Sequence, residues 1–195
     1  MTATPEHSRP TEILPASWIQ VAGRISVALA AGAAFAASGA LGGVAAVQWT
    51  LAAAVAAFGV WLAVWDFREH RLPNAIVLPL YGVVGAALAV LGAFTGDWGR
   101  VGLAVAGGVI LWCVYFILGI AGAVGFGDIK LAGALGAWLA WFGLPLLIPA
   151  TILAYLLALP HTLVILAQRR GGGGRVPFGP YLIAGALIAG ITATV

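Results

Sequence analysis

The sequence predicts an all-α, polytopic transmembrane bundle of about seven helices, or six if one short segment does not span. Three observations lead there. Hydrophobic residues make up 63% of the 195-residue chain and charged ones 8%, where a soluble domain has roughly 45–50% apolar and about 25% charged residues; the mean hydropathy is +1.08. The apolar residues fall in runs near 25–47, 49–65, 75–94, 101–124, 129–142, 144–167 and 176–195, most of them close to the ~20 residues a helix needs to cross a bilayer. These runs are continuous rather than alternating, which favours helices over a β-barrel, the other architecture that satisfies its backbone in lipid.

The same composition excludes a cytosolic enzyme and a disordered chain and, despite a pI near 9.5, a nucleic-acid partner. Cys113 is the single cysteine, so neither an internal disulfide nor a paired-cysteine zinc site can form. Twenty-eight glycines among many alanines predict helices that approach one another closely through small residues.

Along the chain, residues 1–24, rich in Pro, Thr and Ser, read as a tail, and 25–195 as one membrane domain. The first run is too long for the apolar region of a cleaved signal, although Ala34-Phe35-Ala36 resembles a cleavage site, and it is read as an anchor. After the second run comes Asp66-Phe-Arg-Glu-His-Arg-Leu-Pro-Asn74. Pro73 disfavours helix at the residue before it and Asn74 suits the cap of the next helix. Asp97 sits in the short turn Thr95–Arg100 as a solvated turn residue. In Gly125-Phe-Gly-Asp128-Ile-Lys130 the two glycines let the backbone bend, and the plainest reading of Asp128 is an N-cap. The following run, 129–142, is short for a span. Gly171–Gly174 reads as a hinge within a loop.

Basic residues orient such a bundle, because Lys and Arg are retained on the cytoplasmic side of short loops. With seven spans, Arg9, Arg24, Arg68, Arg71, Lys130, Arg169, Arg170 and Arg175 share one face and only Arg100 lies on the other. The N-terminus is therefore read as cytoplasmic. Trp61 and Trp65 at the inner boundary, and Trp49, Trp98 and Trp141 at the outer one, suit aromatic belts.

Ionisable groups next to hydrocarbon are costly and point to function. Glu69 reads as an exposed loop charge, whereas Asp66 and Asp128 each adjoin a long apolar run on the same predicted face. Their bland readings are a boundary charge paired with Arg68 or Arg71 and a helix cap. A transporter or proton channel would use them as an ion relay but would spread acids through the depth of the bilayer, and 101–120 holds no acid at all. A scaffold for membrane assembly would leave both replaceable. His70 and His161 belong to no ligand cluster, and neither a metal nor an organic cofactor is expected.

Together the two stretches resemble those of the bacterial prepilin leader peptidases, the type IV pilin peptidases of the GxGD aspartyl group. The resemblance rests on Asp66 followed by a basic loop ending in Leu72-Pro73-Asn74, on Gly125-x-Gly127-Asp128-x-Lys130, and on Pro177-Phe178-Gly179-Pro180. It covers roughly 50–190. Presenilin-like GxGD proteases fit worse, since Trp65 rather than Tyr precedes the first Asp and no Pro-Ala-Leu motif is present. The resemblance implies an aspartic endopeptidase of the bacterial cytoplasmic membrane that removes the short basic leader of a prepilin or pseudopilin precursor at the cytoplasmic face. It implies Asp66 and Asp128 as the catalytic pair, with Gly125 and Gly127 shaping the backbone beside Asp128. Lys130 reads first as a topogenic charge. Many members carry an N-terminal segment with paired CxxC motifs associated with methylating the new pilin N-terminus. The short tail and missing cysteines here imply the peptidase-only form.

Overall fold

The computed structural model describes residues 42–69, 74–168 and 177–193. Among them lie six α-helices and no strand: α1 Gly43–Glu69, α2 Asn74–Thr95, α3 Trp98–Ile120, α4 Phe126–Phe142, α5 Leu147–Gln168 and α6 Gly179–Thr192, with a 3-10 turn at Leu144–Leu146 before α5. The expected tail 1–24, most of the run 25–47, the loop residues 70–73 and the hinge Gly171–Gly174 lie outside the described residues. Three stretches, Val77–Thr95, Trp98–Ile120 and Leu144–Ile165, are helices long and apolar enough to cross a membrane. The architecture is the helical membrane bundle expected from composition.

Element boundaries moved where local chemistry outweighs hydropathy. No break occurs at Gln48, because α1 runs through it from Gly43, so residues 43–47 belong to this helix rather than to a preceding one. The α3 helix starts at Trp98 because the Asp97 carboxylate accepts from the Arg100 N–H at 2.9 Å. It ends at Ile120 rather than 124. There Gly122 adopts φ +77°, and the Ala123 N–H reaches back to the Leu118 carbonyl at 2.9 Å, a left-handed helix stop that strongly favours glycine.

The short run near 129–142 becomes α4, the centre of the bundle. Its 17 residues span about 26 Å at 1.5 Å each, and it is apolar on nearly every side, the pattern of a helix enclosed by protein. Residues 131–136 and 138–141 are all buried. α3 packs along it most extensively, with α2 and α6 on other sides. Small residues make the α3–α4 contact close: a Cβ on Gly136 would lie 2.8 Å from the Gly107 carbonyl oxygen, and one on Gly108 would lie 2.9 Å from that of Gly133. The buried stripe of α3, Ala104, Gly107, Gly108, Leu111 and Tyr115, faces this seam, while Leu103, Val105, Val109, Ile110 and Ile117 point outward. An apolar exterior of this kind suits hydrocarbon and not water. On the far side α6 packs on α5 and α1.

The expected tryptophan belt is partly corrected. Trp49 and Trp98 are exposed, but Trp141 is only 2% exposed and lies beneath Arg100, whose guanidinium carbon stands 5.6 Å from its ring centre. Its position on the enclosed face of α4 outweighs its position near a helix end.

Candidate active site

The helices alternate in direction, which brings particular termini together. Phe94 near the end of α2 stands 3.9 Å from where a Cβ on Gly43 would lie, at the start of α1. At the other end Ile129 of α4 contacts Gly119 of α3, and Tyr81 of α2 reaches Lys130 of α4. The last turn of α1, the first turn of α2 and the first turn of α4 therefore share one end of the bundle. Asp66 belongs to that last turn of α1 by its backbone, and Asn74 opens α2; their side chains, and Pro73, lie outside the described residues.

Asp128 is 7% exposed and is the one buried charged residue among those described. It is not the N-cap that its sequence context suggests. Gly125 holds that position in extended conformation, and Asp128 is the third helical residue, its Oδ2 accepting from the Gly125 N–H at 3.2 Å. This is the return half of a capping box. It fixes the carboxylate at the helix N-terminus, where the backbone amides favour negative charge. Gly125 has φ −79°, which any residue adopts; the left-handed residue of this connection is Gly122, three residues earlier. Gly125 instead stands close to the carboxylate: a Cβ there would lie 3.4 Å from Asp128 Oδ2.

The third stretch singled out in the sequence packs on the part of α3 that runs toward the start of α4. Pro177, Phe178 and Gly179 are buried and Pro180 is half-buried. The Phe178 ring sits 4.8 Å from that of Tyr155 on α5 and 6.2 Å from that of Tyr115 on α3. Both tyrosines lie within coulombic range of Asp128, and Tyr115 is fully buried. Four elements thus converge: the first turn of α4, the inner half of α3, the middle of α5 and the start of α6. Sequence reasoning missed Tyr115 and Tyr155, which sit as single tyrosines within apolar runs without any spacing signal. Their rarity was the only available cue, since a tyrosine within a span needs somewhere to place its hydroxyl.

The His161 Nδ1 pairs with the Tyr181 hydroxyl at 2.6 Å, joining α5 to α6. Among the described residues no three of His, Cys, Asp and Glu cluster. Asp97 is half-exposed and lies 3.6 Å from the Arg100 guanidinium in addition to capping α3. A charge so solvated contributes little as an ion pair.

The chain is similar to proteins named prepilin leader peptidase/N-methyltransferase. The relative from Escherichia coli (strain K12) is 33% identical over 67% of this chain and 58% of its own length. That from Burkholderia pseudomallei (strain 1026b) is 36% identical over 68% and 45%, and that from Pseudomonas putida is 33% identical over 73% and 52%. The chain thus spans about half the length of the curated relatives it matches. No solved structure matches it. Residues 53–163, from the first half of α1 to just past His161 in α5, match the type IV leader peptidase family, and the match takes in both Asp66 and Asp128. The chain belongs to the type IV leader peptidase family.

Proposed function

We propose that the chain is a membrane-embedded aspartic endopeptidase that removes the short basic leader from a prepilin or pseudopilin precursor at the cytoplasmic face of the bacterial inner membrane. The observation that carries this reading is Asp128, a carboxylate buried on the first turn of α4 within the Gly-x-Gly-Asp-x-Lys stretch. Burying a charge in such a setting is costly enough to mark a functional site. The names of the relatives support precursor leaders as the substrate class.

Asp66 is the second acid in this reading. Two carboxylates brought close share a proton, because both cannot ionise easily side by side. The ionised member takes a proton from a water that attacks the scissile carbonyl. The protonated member then donates to the leaving amine. Gly125 and Gly127 keep the backbone beside Asp128 uncluttered, Pro73 and Asn74 turn the chain after Asp66, and Pro177 to Pro180 brace the site through Phe178. Lys130, in the opening turns of α4, serves chiefly to hold that end of the helix at the cytoplasmic face. The basic leader stays in the cytoplasm while the apolar segment behind it lies along the exposed helices in the bilayer. Residues 25–195 form the peptidase domain and 1–24 a cytoplasmic tail.

The peptidase half alone is assigned. With Cys113 the single cysteine, the chain cannot form the paired CxxC motifs associated with methyl transfer. The test is to incubate the chain in lipid bilayers with a candidate precursor and weigh the products. The expected result is a leader peptide plus a pilin with an unmodified N-terminus, in the presence of a methyl donor. An intact precursor overturns the peptidase reading, and a methylated pilin overturns its restriction to peptidase.

A further inference from the structure

The two helices that carry the candidate acids do not pack mainly on each other. α1 packs on α2 and α6, and α4 packs on α3, α2 and α6, so the placement of Asp128 relative to the end of α1 is relayed through α2 and α6. Packing across these seams, at small residues and around rings such as Trp138 against Gly190, has no hydrophobic driving force in lipid and opposes rotation and sliding only through steric fit. A hydrogen bond across a seam is directional and fixes both.

One such bond lies two residues from Asp128. The Tyr81 hydroxyl, two turns into α2, donates to the Lys130 backbone carbonyl at 2.7 Å. By contrast Thr50, Thr95, Thr151 and Thr162 each donate to the carbonyl four residues back in their own helix. The path is made by a missing side chain. Gly133, one turn on from Lys130, leaves the space the hydroxyl occupies, and a Cβ there would collide with it. The same Cβ would lie 3.3 Å from the Tyr81 ring carbon bearing the hydroxyl and 3.3 Å from the Trp112 Cβ.

Resting on the peptidase reading above, we propose that Tyr81 is a positioning residue: its bond to Lys130, admitted by Gly133, sets the Asp128-bearing turn of α4 against α2, the helix that follows the Asp66 loop. Tyr81 acts by holding the α4 backbone in the rotation that presents the carboxylate.

The experiment compares wild type, Tyr81→Phe, Gly133→Ala and the double variant in lipid bilayers. Leader cleavage is followed over substrate concentration, and amide hydrogen exchange of 126–131 is followed without substrate. Tyr81→Phe keeps the ring and is expected to lower kcat about two- to tenfold, the range of one hydrogen bond, with KM within twofold. Gly133→Ala is expected to lower kcat further, because the hydroxyl is forced out. Adding Tyr81→Phe to it is expected to restore part of the lost kcat, since the contacts of the new Cβ with the Tyr81 Cζ and the Trp112 Cβ remain. Exchange over 126–131 should speed up in the same order. An unchanged kcat in Tyr81→Phe, a KM that rises in step, or additive losses in the double variant overturns the proposal. If wild type cleaves no precursor, the peptidase reading falls instead, and the exchange order alone then decides the role of Tyr81: unaltered exchange in Tyr81→Phe overturns it.

Discussion

At the scale of single residues, burial separates two acids that share a place at a helix start. Asp97 and Asp128 both sit at helix N-termini and both accept from a backbone N–H. One is half-exposed beside Arg100 and the other is enclosed. Asp128→Asn and Asp66→Asn are each expected to abolish leader cleavage while the protein still inserts, because each removes one member of a two-acid machine. Asp97→Asn is expected to leave both cleavage and stability near wild type, since Asn caps a helix about as well as Asp. Cleavage assays at matched protein levels check all three, and wild-type rates in either of the first two variants would falsify the paired-acid assignment. Phe178→Ala empties the space between Tyr115 and Tyr155 and should cost about 3 kcal/mol, seen as a lower unfolding midpoint in denaturant. Phe178→Leu, which refills most of that space, should cost less than half as much. Equal losses in the two would show that the Phe178 ring does not brace the site.

At the scale of elements, the two kinds of glycine predict different failures. Gly122 has open space where a Cβ would go and a φ of +77°, so Gly122→Ala should cost about 1 kcal/mol through backbone conformation alone. Gly136 lies within an ordinary helix, but a Cβ there would press on the Gly107 backbone. Gly136→Ala should therefore cost about 1–3 kcal/mol by overpacking. A second change on α3 can relieve only the contact with the Leu111 Cβ, because the Gly107 carbonyl is main chain. Thermal unfolding of the two variants in the same detergent checks the order; a larger shift for Gly122→Ala contradicts the close α3–α4 seam. Helix type and rough extent were legible here, since continuous apolar runs admit little else. The ends were less so. Asp97 is a local start signal and Gly122 a local stop signal that a count of apolar residues passes over, and Gln48 is a polar residue that an α-helix carries without a break.

At the scale of the whole molecule, the distribution of Lys and Arg predicts the orientation. Cysteines placed one at a time at Gly172 and Gly96, in a background with Cys113 replaced by Ser, are expected to behave oppositely in intact cells. The one at Gly96 should react with an impermeant thiol reagent and the one at Gly172 should not. Labelling at Gly172 from outside would invert the bundle and remove the site from the cytoplasmic face.

By itself the sequence determined the fold class and the family motifs, because composition is a sum over residues and a motif is a local string; neither needs to know which helices are neighbours. Asp128, Gly125 and Phe178 were therefore legible as candidates. Which helix is central, which tryptophan is enclosed, that Asp128 reaches back to Gly125 rather than capping the helix, and that Tyr115, Tyr155 and Tyr81 gather around α4 were decided only by the tertiary structure. The physical reason is that an all-apolar chain carries almost no periodic contrast between its lipid-facing and protein-facing sides. Lipid and protein interior are equally apolar solvents, so the choice of partners falls to close packing at small residues and to a few hydrogen bonds between residues far apart in sequence.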